Sequence, residues 1–178
     1  MIKRAWMGVL LAGVLAGAGH AFMDGYQDRK GVYFGFDAAG GNGKSEPSGG
    51  ADTSALGVMP SARLGIGTEG DLGIDLEGGV FFGSDDGVDQ THTGLYANVQ
   101  KFLNKNIYVR GGLGFGVGRL KSAGMSDSEN GIGFQLGFGI ETFLSAENAL
   151  RLGAVYRSHD YDDFDFTFLG LVAGLTFY

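Results

Sequence analysis

Between Ile132 and Thr142 the chain reads I-G-F-Q-L-G-F-G-I-E-T, bulky apolar residues alternating strictly with glycine or polar ones. Period-two alternation over about ten residues specifies a β-strand with two unlike faces. A half-buried soluble strand would turn Lys, Thr, Ser and Glu to water. Here the second face is Gly133, Gln135, Gly137, Gly139 and Glu141. Glycine weakens a strand, so a row of it marks a crowded side where backbones and long side chains approach closely. Greasy outside and slim, sparsely charged inside is the inverted pattern of a barrel that spans a membrane.

Seven further segments alternate in the same way. They begin near Val32, Pro60, Leu72, Leu95, Ile107, Leu150 and Leu169, which gives eight with the one above. Short turns fall at Glu69–Asp71, Asn104–Asn106 and Ser145–Glu147. Longer polar stretches, read as loops, fall at Gly40–Gly57, Gly83–Thr91, Lys121–Gly131 and Ser158–Asp165. Short turns on one side and long loops on the other predict an all-β, eight-stranded antiparallel up-and-down transmembrane β-barrel, with both termini in the periplasm. A soluble antiparallel barrel or sandwich with the same apolar faces turned inward is the alternative.

Charge tests the orientation. Parity puts Asp37, Arg63, Asp75, Glu77, Arg110, Glu141, Arg151 and Arg157 all on the non-apolar face. A Lys or Arg facing lipid at mid-bilayer would cost about 2–4 kcal/mol. Lys101 and Arg119 break the parity only at strand ends, where long side chains snorkel. Centring the short turns on Gly70, Lys105 and Ala146 sets Arg63 across from Glu77, Gln100 across from Arg110, and Glu141 across from Arg151. An unpaired buried charge is costly, so the lumen is expected to hold an Arg/Asp/Glu network packed against glycine rather than an open channel.

The N-terminus supplies a compartment. Lys3 and Arg4 precede an apolar run from Ala5 to Gly19, and Gly19-His20-Ala21 fits a secretory cleavage site, with Ala18 as the weaker option. A retained anchor is the alternative, but roughly 15 apolar residues are short of the 20 or so a spanning helix needs. No cysteine follows, so lipid modification of the new N-terminus is not expected. Residues 1–21 are thus read as signal peptide, 22–31 as a short periplasmic lead-in and 32–178 as the barrel. The formal charge is −7, and losing Lys3 and Arg4 takes it to −9, which argues against nucleic acid as a partner.

The last segment alternates Leu169, Leu171, Ala173, Leu175, Phe177 and stops at Tyr178. With Tyr108–Gly116 and Gly137–Glu141, the chain resembles the small outer-membrane β-barrel superfamily, typified by the OmpA transmembrane domain and the OmpX/Ail-type barrels. The resemblance implies the outer membrane of a Gram-negative envelope, with membrane lipid and lipopolysaccharide around the barrel. It implies that Phe177 and Tyr178 form the signal read by the barrel-assembly machinery. Phe177 continues the leucine series while Tyr178 is out of step, and an alternative register would put Phe168, Val172 and Tyr178 outward. Aromatic girdles are expected from Phe102, Phe143, Phe177 and Tyr178 below and Phe82, Tyr156, Phe164 and Phe166 above.

No catalytic constellation emerges. Ser158, His159 and Asp160 are consecutive, so on a strand they point to opposite faces and cannot form a triad. Asp160, Asp162, Asp163 and Asp165, like Asp85, Asp86 and Asp89, read as solvated loop charge rather than a metal site, because the spacing lacks the glycine and terminal Glu of a calcium loop. Gly112, Gly114 and Gly116 are strand glycines without the strand-to-helix context of a dinucleotide site. The expected protein is a non-enzyme without cofactor or metal, structural or adhesion-like, meeting an extracellular ligand through its loops. A narrow channel for small or apolar molecules, or a lipid A-modifying enzyme, is the alternative.

Overall fold

In the computed structural model the described residues are 29–48, 52–68, 71–85, 87–122 and 125–178. The expected signal segment and most of the lead-in lie outside them. Eight strands follow in chain order: β1 (Gly31–Pro47), β2 (Thr53–Gly67), β3 (Leu72–Asp85), β4 (Val88–Phe102), β5 (Ile107–Ser122), β6 (Met125–Phe143), β7 (Asn148–Tyr161) and β8 (Phe164–Phe177). Each pairs antiparallel with its neighbour, and β1 pairs with β8 from Phe34↔Phe177 to Pro47↔Phe164, so the sheet closes on itself. Closure leaves no open edge, the condition for a sheet in lipid.

The two faces are inverted relative to a soluble protein. Leu113, Ile132 and Leu171 are each about three-quarters exposed, whereas Asp75, Glu77, Arg63 and Arg151 are no more than 3% exposed. No described helix is long and apolar enough to cross a membrane. Outward apolar residues run from Ile140 to Ile132 on β6 and from Leu175 to Leu169 on β8, and then give way to Asn130 and Thr167. The last strand therefore takes the register with the leucines outward. Phe168 is fully buried, and Phe177 stacks on Phe34 at 4.8 Å.

The hairpins at the three short turns have the expected registers: Arg63↔Glu77, Gln100↔Arg110 and Glu141↔Arg151. The long polar stretches are different from expectation. Strands are 14 to 19 residues long, against the 9–11 or so that cross a bilayer, and they carry the ladder through most of the stretches expected as loops. The connection after β3 shrinks to residues 86–87, with Gly87 at φ 80, and the one after β7 to Asp162–Asp163. Beyond the lipid the outer surface meets water. Polar residues are tolerated there without ending the strand, so their composition imitates a loop.

Candidate functional site

Among the described residues, charge, burial and crowding coincide in the lumen. Inward positions of all eight strands fill it in three tiers, from the short-turn end to the outer end.

The central tier is charged and divides into two linked sets. In one, Asp75 accepts from Tyr33 Oη at 3.0 Å, Asn98 Nδ2 at 2.8 Å and Arg110 Nη2 at 2.6 Å. Glu77 beside it takes ion pairs from both Arg110 and Arg157. In the other, Arg63 Nε donates to Asp37 at 3.0 Å and its Nη2 donates to Thr176 Oγ1 at 2.5 Å. That hydroxyl donates on to Glu141 at 3.3 Å. Arg151 lies over the Tyr108 ring at 4.0 Å and Arg157 over Tyr96 at 4.7 Å, so π faces supplement the carboxylates.

All eight charges expected in the lumen are placed there, but register did not choose their partners. Arg63 is opposite Glu77 yet pairs with Asp37 on β1. Directly across from Arg63 on β1 is Gly35, and a Cβ there would sit 2.8–2.9 Å from the guanidinium. The missing side chain lets Arg63 lie across the strand to its diagonal neighbour, which is within reach of a long side chain. Glu141 likewise leaves Arg151 and takes Arg29. A cavity of about 20 Å³, enough for about one water, is lined by Asp37, Arg110, Arg151 and Arg157 among others.

The short-turn end is closed by a residue that sequence reading passed over. Arg29, just ahead of β1, donates from Nε to Glu141 at 3.0 Å and from Nη2 to the Lys105 carbonyl at 2.6 Å. Its guanidinium lies 3.8 Å from the Phe102 ring centroid and 5.1 Å from that of Phe143. Tyr178 completes the closure, its hydroxyl donating to Glu141 Oε1 at 2.7 Å. Arg29 sits in an aperiodic polar stretch, so no alternation marks it.

The outer end is closed by rings. Phe81, Phe164, Phe166 and Phe168 are buried together with His92, which stacks on Phe166 at 3.5 Å. His159 is buried next to them and within 3.0 Å of Tyr96 Oη. Ser158 and Asp160 lie on the other face of β7 from His159, so the three do not converge. Two glycines of the row in β6 make room for such groups. A Cβ on Gly133 would come 2.4 Å from the Ser158 carbonyl oxygen and 2.5 Å from the His159 ring, and one on Gly139 would come 2.2 Å from the Leu152 carbonyl oxygen and 2.7 Å from Tyr108 Oη, whereas Gly137 has no neighbour closer than 3.4 Å.

These tiers correct the aromatic girdles. Phe82 and Phe177 lie on the outward face, as does Tyr156, which packs 5.8 Å from Phe134. Phe102, Phe143, Phe164 and Phe166 are at most 5% exposed and face the lumen, and Tyr178 turns in to Glu141. Parity explains it: each of those four phenylalanines falls out of step with the outward apolar series of its strand, so its height near an interface does not decide its face. Among the described residues no group of three or more His, Cys, Asp or Glu is placed to hold a metal ion. Asp160 and Asp165 face each other across the outer ladder, with Asp162 and Asp163 in the turn between.

Known proteins agree with this architecture. No curated relative matches the sequence. Among solved structures, Neisserial surface protein A superposes with a TM-score of 0.65 at 19% identity, covering 83% of this chain and 97% of that one. The attachment invasion locus protein Ail of Yersinia pestis superposes with a TM-score of 0.57 at 17% identity, covering 83% and 99%. The sequence itself matches the family described as the outer membrane protein beta-barrel domain over residues 7–177. An inverted, closed, eight-stranded sheet and that match together make the chain a member of the outer-membrane β-barrel domain family.

Proposed function

We propose that this barrel acts at the cell surface, as a structural and adhesion-like protein whose outer rim meets an extracellular partner. The observation that carries this reading is the overreach of the strands. They continue past the apolar band and hold a polar rim on a lumen closed at both ends. Acids dominate the described part of that rim: Glu46, Asp52, Asp85, Asp89, Glu129, Asp160, Asp162, Asp163 and Asp165 against Lys44, Arg119 and Lys121. Lys44 is itself engaged, by Glu46 at 2.6 Å and Asp52 at 2.8 Å.

The rim's sign narrows the partner. Ail of Yersinia pestis has been crystallised with the heparin analogue sucrose octasulfate, a polyanion held by a barrel of this fold. An acidic rim suits the opposite chemistry, a basic protein segment, by charge complementarity. Conduction through the lumen and lipid A chemistry are the weaker readings. The tiers of charge and rings oppose the first, and the separation of Ser158, His159 and Asp160 onto two faces opposes the second. No catalytic residue, cofactor or metal is part of the proposal. We further assign cleavage of residues 1–21 on export and recognition of β8, through Phe177 and Tyr178, by the barrel-assembly machinery.

The test is a cell-surface binding assay with shortened outer hairpins and with Asp160, Asp162, Asp163 and Asp165 changed to Asn. Loss of binding to host cells or matrix proteins, with envelope integrity intact, is the expected result. Unchanged binding and integrity in every variant would reject the reading. A His159→Ala variant that abolished a lipid A modification would replace it with an enzymatic one.

A further inference from the structure

Two patches of the outer wall differ in relief. One is hollow. Along one row of the ladder Phe36, Ala62, Gly78, Leu95 and Phe115 point outward, from β1 round to β5. Ala62 and Gly78 floor a groove of about 600 Å³ between the rings of Phe36 and Phe115, both more than half exposed. The other patch is raised. Phe134 of β6 and Tyr156 of β7 point outward with ring centroids 5.8 Å apart, and Leu136 and Phe138, both more than half exposed, follow Phe134 along β6.

Each patch carries its own sign of charge where the apolar band meets water. Above the groove, Arg119 and Lys121 are both exposed on the outward face of β5. Above the raised patch, Asp160 of β7 and Asp165 of β8 are exposed and directly opposite each other, with Glu46 of β1 opposite Asp165 in turn. Asp89, opposite Lys121, offsets part of the first charge, and Lys44, paired with Glu46, part of the second. Like charges directly opposite on a ladder destabilise it, so the acid row gains from a cation laid against it. The depths match as well. One row followed round the barrel leaves β1 at Phe34 and returns to it at Lys44, ten residues on. That shift tilts the strands by about 40°. At roughly 3.3 Å per residue and 4.8 Å per strand, Arg119 and Asp165 stand at one level, about 22 Å above Phe36, and Phe134 and Tyr156 stand level with Leu95. The two patches are roughly two-fifths of the circumference apart.

We propose that the groove receives a second copy of this chain, head to tail in the plane of the membrane. Phe134 and Tyr156 of one barrel fill the groove floored by Ala62 and Gly78 on the next, and Asp160 and Asp165 of the first meet Arg119 and Lys121 of the second. Small floor residues let two walls approach closely, and close packing is what drives association where lipid is as apolar as the protein. Symmetric pairings are disfavoured by charge. Groove on groove sets Arg119 against its own copy, and raised patch on raised patch does the same with Asp160 and Asp165. Because the two patches are unlike and well apart, the contact does not close between two barrels and repeats from each to the next. It needs no extracellular partner, so it goes beyond the surface-recognition reading and stands or falls separately from it.

The chain has no cysteine, which permits a directional cross-link in intact outer membranes. Thr91 of β4 is opposite Arg119, and Thr167 of β8 is two residues from Asp165; both point outward at the edge of the apolar band. Thr91→Cys and Thr167→Cys are placed on separate, differently tagged copies and joined by a short bis-maleimide. The expected result is linkage between unlike copies, with on the order of tenfold less between like copies. A chain carrying both substitutions gives dimers, trimers and higher species. Gly78→Leu fills the floor and suits the fold, because a Cβ at Gly78 meets only Leu95 Cδ1, at 3.9 Å. Arg119→Glu with Lys121→Glu reverses one rim. Each weakens linkage, and adding Asp160→Lys with Asp165→Lys to the reversed rim restores it. Heat-modifiable gel migration confirms that each variant is folded. Absence of linkage between unlike copies, which would leave the groove to lipid, overturns the proposal. So do equal linkage between like copies, unchanged linkage in folded Gly78→Leu, and a reciprocal charge swap that restores nothing.

Discussion

The middle of the lumen and its outer end obey the same parity but are filled by opposite chemistry. In the middle, Asp37, Asp75, Glu77, Arg63, Arg110 and Arg157 are held by directional, charge-assisted bonds. At the outer end, Phe81, Phe164, Phe166 and Phe168 pack with His92 and few polar bonds. The difference follows the surroundings. The middle tier is ringed by lipid, so no water reaches it from outside, and each of its polar groups needs a partner within the tube. The outer tier lies where strands have risen toward water, and rings can seal it through burial alone. A charged middle ties β3 across the lumen to β5 and β7, while an aromatic end excludes water.

The largest effect should come from cutting the charged middle. Glu77→Ala takes its carboxylate from Arg157 and leaves Arg110 with Asp75 alone, and removing one partner of a buried ion pair costs about 3–5 kcal/mol. Urea unfolding in micelles measures it, and a loss below about 1 kcal/mol would mean that water or a neighbouring carboxylate replaces Glu77. Phe166→Ala in the outer tier should cost about 3 kcal/mol by opening a cavity. Combined with Glu77→Ala its effect should add within about 0.5 kcal/mol if the two tiers are independent. Strong coupling would make them one cooperative unit and break the comparison.

Glu141→Gln tests the short-turn end. It keeps an acceptor for Tyr178 but discharges the partner of Arg29, a change of about 1–2 kcal/mol. The direct readout is trypsin cleavage after Arg29, which should quicken as that side chain is released. The smallest effect separates two glycines of one strand. Gly137→Ala should stay within about 0.5 kcal/mol of the parent, because its nearest neighbour is an ordinary contact away. Gly133→Ala drives a methyl against the Ser158 carbonyl oxygen and the His159 ring and should cost more than about 1 kcal/mol, measured in the same unfolding series.

How much of this was legible depended on which physical rule left a trace in the sequence. Strand orientation and the three hairpin registers were readable because lipid forbids charge on one face, which makes parity a strict filter at Arg63, Glu77, Arg110 and Arg151. Partner choice was not, since it depends on where glycine leaves a path, as Gly35 does for Arg63. Phe102, Phe143, Phe164 and Phe166 were placed by their height along the strand, whereas counting alternate positions would have turned them inward. Arg29 carried no period at all. The outer ends of the strands were mistaken for loops because, once lipid is left behind, water accepts the same polar residues on a ladder as on a turn.

That continuation of the ladder bears on how tightly anything can be held at the rim. A long loop must be ordered when a partner binds, and each immobilised side chain and residue takes free energy from the complex. Here Ser45 through Pro47 remain bonded to β8, and Val88 through Gln90 to β5. Much of the rim is therefore stiff before contact. A partner would meet a pre-organised surface whose shape is dictated by the barrel beneath it, and affinity would be set by charge and fit rather than by the entropy of folding a loop.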